Sequence, residues 1–351
     1  MNVLSLKNKQ LLMNDTAIST IIPTYNRAHF LTRSINSVLI QLEPDDELII
    51  IDDGSTDNTK GIVSRFGNRV QYIRTPNNGA GAARNKGVQE ARNPLVAFAD
   101  SDDEWMPNKI ELQRAFMKSR TDVLFCFSNF AFWNKKGIEE PFSLGTWHDD
   151  RRSWDEILGP GQHFSSFAAL CNNINDFKVH IGDISLPALS SHFLNINTLL
   201  VRREKAGDAL RFAEDTKTYE EWECLVRLSS IGKCAYFDCE TAWQHAHNEP
   251  RLTDAGSYDV LDAKIRIMDR VWRENADSLK EHGTFFQKVF YEYLLHKVGL
   301  LILLGHTKEA REVIPTLPSC PLPYRILTAM PGCIAQPAAR MLRKIRNVLL
   351  R

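Results

Sequence analysis

The sequence predicts an α/β protein built on a parallel sheet and extended toward its C-terminus by helices. Two observations predict this. Between Ile18 and Asp100, short β-branched runs alternate with amphipathic stretches, the pattern of βαβ units. The polar clusters Pro23–Asn26, Asp52–Ser55 and Asp100–Asp103 each fall where such a run ends. In parallel sheets, ligands bind at that edge.

The elements follow in order. Residues 1–16 read as a polar lead-in. Ile18–Pro23 is expected to form a strand, Phe30–Gln41 a helix, Glu47–Asp52 a second strand and Thr56–Phe66 a second helix. Val70–Arg74, Gly81–Ala91 and Leu95–Asp100 then read as strand, helix and strand. Beyond about residue 125 the alternation stops. Residues 126–195 are rich in Phe, Trp, Asn and Gly, with Gly159-Pro160-Gly161 as a loop signal. From Tyr258 the pattern is helical, punctuated by Pro315, Pro318, Pro321 and Pro323.

Composition narrows the class. With 43% hydrophobic and 25% charged residues in 351, the profile is that of a soluble globular chain. Lys plus Arg equals Asp plus Glu at 43 each, so no global charge points to nucleic acid. Seven scattered cysteines without a C-x-x-C pair argue against a disulfide framework and a zinc site. Asn8, Lys9, Gln10 and Asn14 interrupt any signal-peptide core, and the longest apolar run, Val298–Leu304, is too short to span a bilayer. The expectation is a cytoplasmic protein.

The acidic stretch Asp100-Ser101-Asp102-Asp103 is the most informative. If the strand carries on, Asp100 and Asp102 share a face. Two like charges held together call for a cation, and oxygen ligands suit Mg²⁺ or Mn²⁺. The same residues also suit a plain turn with Asp103 or Asn108 capping the helix after Pro107. Tyr25 offers a ring to stack on a planar base, while Asn26 and Arg27 offer donors for phosphate or ribose. Ser55 or Thr56 suits a helix cap and Gly54 a tight turn, but neither role explains Asp52 and Asp53. A carboxylate there suits the imide N–H of uracil or thymine.

The small residues Gly79–Ala83 open a helix and allow a backbone or a ligand to approach closely. Neither a P-loop nor G-x-G-x-x-G is present. Glu220 and Glu221 suit a helix first turn, and either suits a general base. Trp222, Leu225, Val226 and Ser229 form that helix's inward stripe, with Glu223 and Arg227 expected to pair on the surface. His245 and His247 alternate on one face after a short strand, each suited to phosphate or a metal shell; a hydrogen-bonded structural role suits His245.

Taken in order, Ile22-Pro23-Thr24-Tyr25-Asn26-Arg27, Ile50-Ile51-Asp52-Asp53-Gly54-Ser55-Thr56-Asp57, Ala83-Arg84-Asn85, Asp100-Ser101-Asp102-Asp103 and Glu220-Glu221-Trp222 resemble family 2 glycosyltransferases. The resemblance runs from about Ile18 to Thr253. It implies an inverting enzyme of GT-A fold, of the bacterial cell-surface polysaccharide type. Residues 17–255 would be the glycosyltransferase domain, with 17–125 the nucleotide-binding half and 126–255 the acceptor half. Residues 256–351 would be a helical extension. The implied nucleotide-sugar contacts are Pro23, Thr24, Tyr25, Asn26, Asp53, Arg84, Asp100, Ser101 and Asp102. Pro23 and Tyr25 would line the base and Asp53 would bond it. Asp100, Asp102 and His247 would hold Mg²⁺ or Mn²⁺, and Glu221 would be the catalytic base.

Two residues depart from the pattern. Glu221 stands where the family has aspartate, and Gln244 where it often has arginine. The implied donor is a UDP-sugar and the acceptor a glycan or lipid-linked saccharide. A nucleotide-sugar-binding homologue without activity stays open, as does a nucleotidyltransferase. Finally, no acidic residue occurs from Val313 to Arg351. Pro337 is placed to open a helix whose Ala338, Met341, Leu342, Ile345 and Leu349 face away from Arg340, Arg343, Lys344 and Arg351. Such a helix over 337–351 suits an anionic membrane surface or packing on its neighbours.

Overall fold

Ile18–Thr24 (β1) is buried at every position, as expected of a central strand covered on both faces. It pairs in parallel with Glu47–Asp52 (β2) and Leu95–Phe98 (β4), and β2 pairs in parallel with Gln71–Arg74 (β3). The intervening helices are Ala28–Leu39, Thr59–Ser64 and Ala80–Glu90. The computed structural model describes residues 15–148, 150–171, 174–216, 218–249 and 257–349. Nearly all of the polar lead-in therefore lies outside the described residues.

The described residues form two compact units, one within 1–216 and 220–249, the other within 217–219 and 250–351. In the first, the remaining strands are Glu104–Trp105 (β5), Val123–Trp133 (β6), Glu139–Glu140 (β7), Gln162–His163 (β8), Lys178–Gly182 (β9), Leu200–Arg202 (β10) and Lys233–His245 (β11). The sheet runs β3-β2-β1-β4-β10-β6-β11-β9-β8, with β5 on β11 and β7 on β6. The expected irregular stretch after residue 125 is thus corrected. β6 extends the sheet, and nine of its eleven residues are buried. Covered on both faces, it carries no alternation to read.

Two local expectations also change. The strand before the acidic turn stops at Phe98, so Asp100 and Asp102 lie beyond it. The N-cap of Thr59–Ser64 is Asn58 and that of Lys109–Ser119 is Asn108, and neither cap makes a side-chain bond. Ser55, Thr56 and Asp103 therefore do not cap these helices. The small residues at the third helix serve close approach by a backbone, as expected. A Cβ on Gly81 would lie 1.9 Å from the Ala213 carbonyl oxygen.

The second unit is helical, with Ser257–Glu274, Ala276–Leu304, Thr307–Val313, Leu322–Ala329 and Gly332–Leu349. Val298, Leu301, Ile302 and Ala335 are central in its core. The long helix ends at Gly305, whose φ of 86° admits the left-handed turn that returns the His306 N–H to the Leu301 carbonyl. Pro337 lies inside the last helix, which starts at Gly332. Leu322, Ile326, Ile334 and Met341 are exposed. Side chains from 342 on lie outside the described residues. Among the described residues, no helix is long and apolar enough to cross a membrane.

Candidate active site

The site is assembled at the carboxyl ends of the parallel strands in the first unit. Asp52 ends β2 and Asp53 follows it, both almost fully buried, at 1% and 4% exposure. Asp52 accepts from the Ser55 N–H at 2.7 Å and from the Tyr72 hydroxyl. Asp53 accepts from the Asn78 and Gly79 amides, each at 2.8 Å. Burial raises the Asp53 pKa, and those two amides oppose the rise. Asp53, which also has the Thr75 side chain as a partner, thus ties the β2 turn to the loop opening the third helix.

Asn26 has a left-handed φ of 53°. Its side-chain oxygen accepts from the Thr56 N–H at 2.8 Å, and its own N–H donates to Ser55 Oγ at 2.9 Å. Ser55 and Thr56 are thereby used between loops. Pro23 and Thr24 are buried in β1, whereas Tyr25 is 46% exposed. Ser101 is buried.

Arg84, on the third helix, joins two acidic clusters distant in sequence. Its guanidinium donates to Asp100 Oδ1 at 2.8 Å and to Glu220. Burial works against its charge, but Asp100, Glu220 and Glu221 together hold its pKa above the ordinary arginine value. Asp100 is held from the other side by Asn197. The Asp100 N–H donates to Asn197 Oδ1 at 2.6 Å, and Asn197 Nδ2 donates to Asp103 Oδ2 at 2.9 Å. Asp103 also accepts from the His245 N–H at 2.9 Å. Burial raises the Asp100 pKa, Arg84 opposes it and Asp102 adds to the rise.

Asp102 faces elsewhere. His247 Nε2 lies 2.9 Å and Arg27 Nε 3.5 Å from its Oδ2. Asp100 and Asp102, both beyond the strand end, thus take different partners, while the Asp102 charge still acts on Asp100. Glu249 closes the same region onto Arg27, at 3.3 Å, and His29. His245 approaches Glu104 at 2.7 Å and stacks on Trp133. It thus takes the structural role, while His247 reaches the acidic turn.

The helix Glu220–Ile231 separates its two leading carboxylates. Glu220 is buried against Arg84, whereas Glu221 Oε1 lies 3.7 Å from His192 Nε2. Burial, then the Glu220 charge, raise the Glu221 pKa well above the ordinary glutamate value, with Arg84 opposing. A carboxyl so raised suits proton exchange with a hydroxyl. The inward stripe of Trp222, Leu225, Val226 and Ser229 is buried as expected. The Glu223–Arg227 pair forms, but Glu223 is 1% exposed, so it is no surface pair. Gln244 is buried too, at 9% exposure. Sequence reasoning missed His192, Asn197 and Glu249. The spacing Asn195-x-Asn197-Thr198 carried the only signal, and it resembles no binding motif.

The model of the family described as glycosyl transferase family 2 matches residues 19–172. An uncharacterized glycosyltransferase of Rickettsia typhi is 36% identical over 264 residues, which is 73% of this chain and 70% of that one. The E. coli UDP-Glc:alpha-D-GlcNAc-diphosphoundecaprenol beta-1,3-glucosyltransferase WfgD is 36% identical over 132 residues, 37% of this chain and 52% of its own. Other curated relatives are spanned over less, down to 17% of their length. The structure of S. aureus TarS 1–349 in complex with UDP-GlcNAc has a TM-score of 0.52 at 18% identity, over 85% of this chain and 88% of that one. This likeness bears on the fold, an α/β sheet of GT-A type with a helical C-terminal region. With the family model and the long Rickettsia match in agreement, the chain belongs to glycosyl transferase family 2.

Proposed function

We propose that the chain transfers a sugar, with inversion, from a UDP-sugar to a hydroxyl of a glycan or lipid-linked saccharide. The observation that carries this is the Arg84 junction. It brings the acidic turn and the Glu220–Glu221 helix together at the ligand-binding edge of the sheet. The printed ligand of TarS and the printed donor and acceptor of WfgD support the donor and acceptor classes.

Glu221 is the general base in this reading. It takes the proton of the acceptor hydroxyl as that oxygen attacks the anomeric carbon and the nucleoside diphosphate leaves from the opposite face. Glu220 keeps Arg84 oriented. Arg84 places positive charge beside the donor, and Tyr25 stacks on the base. Asp53 accepts the imide N–H.

The residues fit a divalent ion in one respect. His247 Nε2 and Asp102 Oδ2 meet at 2.9 Å, which brings an imidazole nitrogen and a carboxylate oxygen, both ligand types for such an ion, to one place. Among the described residues, no group of three His, Cys, Asp or Glu side chains forms a cage. A shell completed by water and diphosphate suits Mg²⁺ or Mn²⁺. Asp102 and His247, with Asp100 beside them, would hold the ion, which neutralises diphosphate charge when bound.

The exposed Ile334 and Met341 on the last helix, with Arg340 and no acid after Glu312, support a peripheral contact of that helix with anionic lipid at the cytoplasmic face. The main test is a thermal-unfolding screen of UDP-sugars with Mn²⁺, followed by turnover of any stabilising donor by the wild type and by Glu221→Gln. Stabilisation with Mn²⁺, lost in EDTA, and turnover lost in Glu221→Gln are expected. If no UDP-sugar stabilises the protein, the donor assignment fails. If Glu221→Gln keeps full turnover, the base assignment fails.

A further inference from the structure

Residues 188–198 touch both acidic clusters. The Trp222 indole N–H donates to the Ala188 carbonyl at 2.7 Å. Asn195 Oδ1 accepts from the Asn197 N–H at 3.0 Å, and Asn197 in turn holds Asp100 and Asp103. Between these points lies His192, whose side chain is 5% exposed. Its ring centroid lies 6.4 Å from Trp222, tilted by 45°. The imidazole is thus held by packing and directed at Glu221, 3.7 Å away. That distance is an ion-pair approach rather than a hydrogen bond, and such contacts commonly tighten once substrate is in place.

We propose that His192 is a positioning residue for Glu221, fixing the longer carboxylate that this chain carries where the family pattern has aspartate. The inference rests on Glu221 as the general base. An extra methylene moves a carboxylate by about 1.5 Å, and a displacement of ~1 Å costs on the order of 10²-fold in rate. A glutamate therefore needs a second contact to define where its oxygens stand.

Among the described residues, the titratable and charged groups set against Glu221 include Glu220 and Cys224 on its own helix, Arg84 on Ala80–Glu90, Asp100 on the acidic turn and His192 on the 188–198 stretch. Glu220 and Asp100 oppose its ionisation. The Arg84 hydrogen bonds go to those two carboxylates rather than to Glu221. His192 is thus the neighbour placed to hold the Glu221 carboxylate both in position and ionised.

The test is a histidine NMR titration of the full chain as wild type, Glu221→Gln and Glu221→Asp, with the His192 signal assigned by its loss in His192→Gln. If the two groups pair, removing the carboxylate charge lowers the proton affinity of His192 by about tenfold in Glu221→Gln. Glu221→Asp, with its shorter reach, falls between. On the UDP-sugar selected by thermal shift, the acid limb of kcat/KM moves to higher pH in His192→Leu and is restored in part by His192→Gln, with UDP affinity unchanged. A His192 signal that behaves alike in all three proteins overturns the inference, because a histidine merely packed on Trp222 would do so. An unmoved acid limb in His192→Leu overturns it as well. If Glu221→Gln retains turnover while the titration still responds, it is the base assignment that falls.

Discussion

Replacing Arg84 by methionine removes the cation shared by two acidic clusters while keeping a side chain of similar reach. Its side chain is 6% exposed and that of Glu220 5%, so water cannot take over the lost interaction at Glu220. The Asp100 side chain is 27% exposed and keeps its Asn197 partner, so its share of the cost is smaller. Leaving a buried charge unpaired costs about 3–5 kcal/mol. Against a typical total of ~5–15 kcal/mol, that is a large fraction.

The pH dependence of this loss follows from the unpaired carboxylates. Burial already raises the Asp100 pKa, and removing Arg84, which opposes that rise, lifts it further. Stability is then retained at low pH, where Asp100 is protonated, and lost as pH rises. The gap between wild type and Arg84→Met in urea denaturation is therefore expected to be wide at pH 8 and narrow toward pH 5. Arg84→Lys keeps the charge but loses the two-pronged geometry, and it falls between. A gap below about 1 kcal/mol at pH 8, or one that widens on acidification, would refute the reasoning.

Three further outcomes are expected. Asp53→Ala leaves the Asn78 and Gly79 amides without their acceptor and lowers stability by about 1–3 kcal/mol, along with UDP affinity; an unchanged urea midpoint would show that these bonds carry nothing. Lys109 is fully buried over Trp105 and bonded to Gln113, and burial lowers its pKa from 10.5 to about 7. The unfolded chain takes up this proton as pH falls from about 10 to 7 while the folded one does not, so stability rises with pH across that window; Lys109→Met should flatten the rise and raise the urea midpoint at pH 7, and an unaltered slope refutes this. Full-length protein should co-sediment with anionic liposomes more than a chain ending at Pro331, and equal binding would make the last helix a packing element.

The parts of this molecule that were legible in sequence are those whose causes are local. β1 and β2 could be read because β-branched runs end abruptly in polar turns, and the C-terminal helices because their apolar period is long. β6 could not be read, since burial on both faces erases the alternation that marks a strand. The site divides in the same way. The acidic turn and the Glu220-Glu221 pair stand out as residues, but their division of labour depends on distant partners. Arg84 is 136 positions from Glu220, Asn197 is 97 from Asp100 and His247 is 145 from Asp102.

Each of those contacts assigns one carboxylate and releases its neighbour. Glu220 is committed to Arg84, which leaves Glu221 facing His192. Asp103 is committed to Asn197 and the His245 amide, which leaves Asp102 facing His247. Adjacent identical groups in a buried site cannot both ionise freely. A fold that must keep one carboxylate ready for chemistry therefore has to pair off the other. Asn197 and Arg84, which carry none of the expected proton chemistry themselves, are what make this arrangement possible.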